Sequence, residues 1–347
     1  MWKIVEARQQ PSRRRRKVSE EKLKDASASA AIAVVADTSL NRSTVISSSP
    51  QLVSSLTRDL RRASQVIQGI AFIRRDVLLP LRKYLNAHGD KVRRIYLVAL
   101  SIGPFSRQES RSGFLQMALL LAMQNECECF LRKSVKSCMP KATGDITDTT
   151  LTQEFNMEPP KEMTTLITSF FDPAISDLHA HCCEKFGIVV EAENRYGAYT
   201  PIGEDDLLIA YLPHSPWTLL CNLFISNVKL FHSLANDTRE NFLQRTLVIG
   251  NDLREKLTRS DDFMELLIKV LNFHALEPQD GGKSVLDVEN LETYLHSVPK
   301  GMSRHDVLRA FSDTAVMQFK EKWEKELAEK LQQIRLPPIV RGGLDIA

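Results

Sequence analysis

The residues of this chain best placed to do chemistry are few, and they sit where apolar runs end. His214 follows Pro213 at the close of Leu207–Leu212. An unperturbed imidazole titrates near pH ~6.5, so His214 is the one candidate for acid–base catalysis. Ser101 and Gly103 form a small-residue turn after Arg94–Leu100. Asp172 closes Leu166–Phe171, and Gly250, Asn251 and Asp252 end the run that begins at Thr246. A turn of small residues lets a ligand approach the main chain, and a carboxylate at a strand tip can hold ribose hydroxyls. The candidate cofactor-binding set is therefore Ser101, Gly103, Asp172, His214, Gly250 and Asn251. Each also has a plainer role: Asp-Pro starts helices, and a single Gly often only makes a turn.

Other constellations carry less. Gly281-Gly282-Lys283-Ser284 resembles the tail of a phosphate-binding loop, but Glu277 stands where another Gly is needed, so it reads as a turn. His179 and Cys183 are four apart on one helical face, as metal ligands would be, with His181 and Cys182 between them. No second ligand pair has convincing spacing, so packing is expected there and no metal site. Ser215 beside His214 is not a triad, and neither G-x-S-x-G nor H-E-x-x-H occurs.

These residues need elements to position them. Leu207–Leu212 is apolar throughout, as a strand covered on both faces is, and Pro213 ends it. Ser215 can cap the next helix, with Pro216 where a missing N–H costs nothing. Further strands are expected near residues 95, 168, 189 and 248. Helices are expected over about 113–131, 174–186, 262–273 and 320–334, and as a pair over 51–85 that Pro80 interrupts. Strand–helix alternation calls for an α/β fold: a Rossmann-like, mostly parallel sheet with helices on both faces. In such a sheet every candidate residue lies on one rim.

The organisation expected is a disordered basic tail over 1–50, N-terminal helices over 51–92, an α/β domain over 93–319 and a C-terminal helix and tail over 320–347. Residues 132–160 are polar and Thr-rich, a surface insertion. Net charge is +3, which implies no nucleic-acid footprint. The one basic run, Arg13–Lys17, reads first as a solvated tail and second as a nuclear-import signal. Six irregularly spaced cysteines suit reduced thiols in a cytoplasmic or nuclear protein. No apolar run approaches the ~20 residues a membrane span needs.

Several steps resemble the Sensitivity to Red Light Reduced (SRR-like) family. Its G-I-G-x-F-like turn has Ser101-Ile102-Gly103-Pro104-Phe105 as counterpart, followed by Gln116. Its Y-D-P step corresponds to Phe171-Asp172-Pro173, and its F-Y-M-P-H-C signature to Ala210–Ser215. The helix after that signature matches Leu219–Asn227, with Asn222 and Asn227 kept. Its I-I-G-N strand end is Val248–Asn251, and a late F-N-D-T-like element is Phe311–Thr314. Ser101 stands where the family has Gly, Ser215 where it has Cys, and Val228 where it has Trp. The resemblance implies a regulatory role in haem biosynthesis and circadian clock gene expression, with regulatory protein partners and no established reaction. The rim residues would then hold a nucleotide-like ligand of unknown identity. Two alternatives stand beside this: a transferase with His214 as acid/base, or an interaction scaffold whose strand-end residues are structural caps.

Overall fold

The computed structural model describes residues 49–138, 164–234, 241–255, 262–276, 279–280, 283–284 and 302–342. Residues 1–48 of the expected tail and most of the insertion over 132–160 lie outside these residues.

Helix α1 (Pro50–Gly69) is followed by one α-turn (Ala71–Ile73), a π-helical turn (Arg74–Leu78) and α2 (Leu79–His88). Pro80 has no N–H to continue the α ladder, and the widened turn just before it accommodates that. Next come β1 (Arg94–Leu100), α3 (Arg111–Cys138), β2 (Thr165–Phe171), α4 (Asp177–Glu184) and β3 (Ile188–Val190). Then follow β4 (Asp206–Leu212), α5 (Trp217–Ser233), β5 (Thr246–Asn251), α6 (Asp262–Val270) and β6 (Leu271–Ala275). The described chain ends with α7 (Arg304–Phe311), β7 (Thr314–Phe319), α8 (Lys325–Gln333) and an extended segment to Gly342. Gln279–Asp280 and Lys283–Ser284 pair antiparallel, so Lys283 and Ser284 lie in a two-stranded ladder, while Gly281 and Gly282 lie outside the described residues.

The sheet has seven strands in the order β3-β2-β1-β4-β5-β7-β6. The first five are parallel, and β7 is antiparallel to both β5 and β6. The chain moves outward from β1 through β2 to β3, then returns to β4 on β1's other side, so β1/β4 is the topological switch point. Every residue of β4 is buried. Leu207, Ile209 and Tyr211 face a core with α1, α2, α3, α4 and α7, while Leu208, Ala210 and Leu212 face α5, α6 and α8. That double burial is why the strand is apolar throughout rather than alternating.

Three expectations need correction. Helix α3 runs on to Cys138, so it enters the polar stretch that begins at Arg132. The helix expected over 262–273 stops at Val270, and Leu271–Ala275 is a strand, because β7 offers an open edge for it. Ser215 does not cap α5: Pro216 is the residue before the first turn, and Ser215 is buried with its hydroxyl unpartnered.

Candidate functional site

The carboxyl ends of the parallel strands divide into two neighbourhoods. Over β1 and β2 lies a crevice of about 210 Å³ lined by Leu100, Ser101, Phe171, Asp172, Pro173, Ala174, Asn194, Gly197, Pro216 and Leu219. Among the described residues Asp172 is the one charged group in its lining. Phe171, Leu100 and Leu219 give it apolar walls, while Ser101, Asp172 and Asn194 give it polar groups. It is built from the ends of β1 and β2, the loop before β4 and the start of α5, beside the switch point where ligands bind in open α/β sheets.

Local sequence explains that wall. Gly197 has φ +82°, and a Cβ there would lie 2.3 Å from the Leu219 carbonyl oxygen. Only glycine lets the loop come this close to α5. Asn194 Oδ1 accepts the Tyr196 N–H at 2.7 Å, which shapes the same loop. Asp172 accepts the Gly103 N–H at 2.8 Å through Oδ2 and the Ala174 N–H at 2.8 Å through Oδ1. The carboxylate thus ties the β1 turn to the β2 turn, and it keeps lone pairs for a ligand hydroxyl.

Ser101 lines the crevice at φ +60°, in left-handed space that costs a non-glycine residue roughly 1–2 kcal/mol. Ser101→Gly should therefore raise stability by about 0.5–1 kcal/mol, once the greater freedom of glycine in the unfolded chain is counted. Urea midpoints of the two proteins check this; an unchanged or lower midpoint would mean that the hydroxyl offsets the strain.

The second neighbourhood lies over β4, β5 and β7, and none of its residues lines the crevice. His214, at φ +48°, has Nε2 3.0 Å from the carbonyl oxygens of both Arg309 and Ala310. Its Nδ1 is 3.3 Å from Asp313 Oδ1. Both ring nitrogens face acceptors, so the doubly protonated ring fits best. Accordingly the Asp313 carboxylate holds the imidazole above its ordinary value, against the opposing effect of partial burial. Asp313 is itself left-handed, at φ +58°. Asn251 is buried and gives an Nδ2 hydrogen to the Ser215 carbonyl at 3.1 Å. Gly250 is where β5 crowds β4, since a Cβ would lie 2.9 Å from the Leu212 carbonyl oxygen. The Asp252 N–H donates to the Asp313 carbonyl at 2.7 Å, and Gln116 Nε2 donates to the Ala310 carbonyl at 3.0 Å.

The six residues picked from the sequence thus part company. Ser101 and Asp172 line the crevice, and Gly103 is bonded to it through Asp172. His214, Gly250 and Asn251 belong to a junction that joins β4 and β5 to the α7–β7 turn. Asn194, Gly197, Pro216 and Leu219 are not among the site residues expected from the sequence. A glycine inside the polar loop Glu193–Thr200 was the one signal for them.

The His179–Cys183 helix face holds thiols and an occupied imidazole. His179 Nδ1 is 3.2 Å from the Ser176 N–H and 2.9 Å from its hydroxyl, and Nε2 is 3.0 Å from Glu109 Oε2. Burial pushes this imidazole below its ordinary value, with Glu109 opposing. Burial also pushes the Cys183 thiol up to about 12. Among the described residues no group of three or more His, Cys, Asp or Glu could hold a metal ion, and no helix is long and apolar enough to cross a membrane.

Searches of curated proteins and of solved structures gave no significant match. A family model does match: the SRR1 domain fits residues 81–318, from α2 through β7, and so takes in both the crevice and the β4–β5–β7 junction. The chain belongs to the SRR1 domain family.

Proposed function

We propose that this SRR1-domain protein is a regulatory binding module. It acts in the control of haem biosynthesis and circadian clock gene expression, in the cytoplasm and nucleus, through regulatory protein partners. An adenosine-containing small molecule in the crevice biases those contacts. The family supports the regulatory role. The observation that carries the ligand is the position of Asp172: a carboxylate at the tip of β2, lining a cavity next to the switch point. The transferase alternative is less well supported, because His214 has both nitrogens facing acceptors and lies outside the crevice lining.

The test is a thermal-shift titration of the full chain with adenosine-containing compounds. A ligand at 100 times its Kd adds ~2.7 kcal/mol, which should raise Tm by about 5 °C. Asp172→Asn keeps one carbonyl acceptor for the turn and should fold, but it should lose most of that shift. In cells lacking the protein, wild type should restore haem content and the period of a clock reporter, and Asp172→Asn should not. A shift that survives Asp172→Asn at full size would place the ligand elsewhere.

A further inference from the structure

We propose that the crevice takes an adenosine unit without phosphate, its 5′ end neutral or cationic, and that it discriminates against phosphorylated nucleotides. This rests on the adenosine reading above and narrows it to a chemical class.

A strand–turn–helix phosphate site needs free main-chain N–H groups in the turn and in the first helical turn. Several of them are already spent here. Gly103 gives its N–H to Asp172 at 2.8 Å, and Pro104 has none. Glu109 and Ser110 give theirs to the Ser106 carbonyl at 3.1 and 2.9 Å. Gly113 donates to the Ser110 hydroxyl at 2.9 Å, and Phe114 donates to the Ser110 carbonyl at 3.0 Å. The groups crowding the start of α3 are acceptors: a Cβ on Gly113 would meet the Pro104 carbonyl oxygen at 2.4 Å and that of Ile102 at 3.0 Å.

Charge points the same way. The Glu109 carboxylate sits in this turn, accepting from the Ser106 hydroxyl and lying 3.0 Å from His179 Nε2. It adds a negative charge to the turn two residues before α3 begins, where a phosphate would have to sit. Among the described residues no Lys or Arg lines the crevice, and Asp172 does. A phosphate brought there would lose its water next to a carboxylate, with no cation in the wall to offset the repulsion. A ribose does fit these groups. Its hydroxyls can donate to Asp172, Ser101 and Asn194, and a base can lie against Leu100, Phe171 and Leu219. A cavity of about 210 Å³ is below the ~300–1,000 Å³ of drug-sized sites, so one nucleoside suits it better than a dinucleotide. A sulfonium at the 5′ end would add attraction to Asp172.

Calorimetric titration of the full chain with adenosine, S-adenosylhomocysteine, S-adenosylmethionine, AMP, ATP and NAD tests this. Adenosine and the two S-adenosyl compounds should bind, with AMP about tenfold weaker than adenosine or worse, and ATP and NAD weaker still. AMP or ATP binding as tightly as adenosine would overturn the discrimination and leave the adenosine reading standing. Silence from all six would overturn that reading and this inference with it. Glu109→Gln, which keeps the hydrogen bonds of the turn and removes its charge, should narrow the gap between AMP and adenosine. An unchanged gap would overturn the role given to that charge.

Discussion

His214→Ala is expected to lower stability by about 3 kcal/mol. The protonated ring makes hydrogen bonds to two carbonyl groups, and a charged donor of this kind contributes roughly 1.5–3 kcal/mol. The bonds run to Arg309 and Ala310 at 3.0 Å each, with Asp313 3.3 Å from the other nitrogen. Alanine removes them all yet must still hold φ near +48°. His214→Gly loses the same bonds but is free of the strain, so it should recover roughly 1 kcal/mol of the deficit. The pH dependence has a definite sign. A histidine whose folded value is raised adds stability that is fully present below its unfolded value, ~6.5, and is lost as pH rises through the folded value. Wild type should therefore weaken as pH climbs above ~6.5, and His214→Ala should be flatter over that window. His179 acts on the other side: its folded value is depressed, so its contribution is present above ~6.5 and is lost as pH falls. Urea midpoints between pH 5 and 9 separate the two. Equal slopes for wild type and His214→Ala above pH 6.5 would remove His214 from the junction.

That junction also marks the limit of what sequence could tell. The parallel strands were legible because strands buried on both faces read as continuous apolar runs, and β4 has every residue buried. The pair β6 and β7 was not. β6 is Leu-Asn-Phe-His-Ala and joins α6 directly, with no Gly or Pro between Val270 and Leu271, so Leu271 and Phe273 look like one more turn of an amphipathic helix. The antiparallel insertion of β7 between β5 and β6 brings Asp313 under His214, and nothing local to either residue announces a partner about a hundred positions away. The crevice was half legible. Asp172 and Ser101 follow from strand ends, which is a local signal. Asn194 and Gly197 lie on the long return from β3 to β4, and their position depends on how that return crosses the sheet. The rim residues fall into two neighbourhoods for the same reason: a shared rim is a matter of topology, whereas a shared pocket depends on which loops fold over which strand ends.

Asn222→Ala is expected to cost about 3 kcal/mol and to free the C-terminal segment. Asn222 is fully buried on α5. Its Nδ2 donates to the Tyr196 carbonyl at 2.7 Å and the Val340 carbonyl at 2.8 Å, and its Oδ1 accepts the Val340 N–H at 3.0 Å. Three hydrogen bonds worth about 1 kcal/mol each are lost, and a small cavity adds to the cost. Alanine's better helix propensity returns only a few tenths. Asn222→Asp is the sharper variant, since a carboxylate would face the Tyr196 and Val340 carbonyls with no hydrogen to give; it should fall below Asn222→Ala. The clamp reaches the crevice as well. Tyr196 adjoins Gly197, which lines the cavity, so the amide that pins the C-terminal segment also pins the cavity wall. Hydrogen exchange should show lost protection in both places, near 196–199 and near 340, while β1 and β4 stay protected. Adenosine should bind more weakly to either variant under conditions where it remains folded. Loss of protection at residue 340 alone would mean that the C-terminal segment is held independently of the crevice, and that Asn222 serves α5 rather than the site.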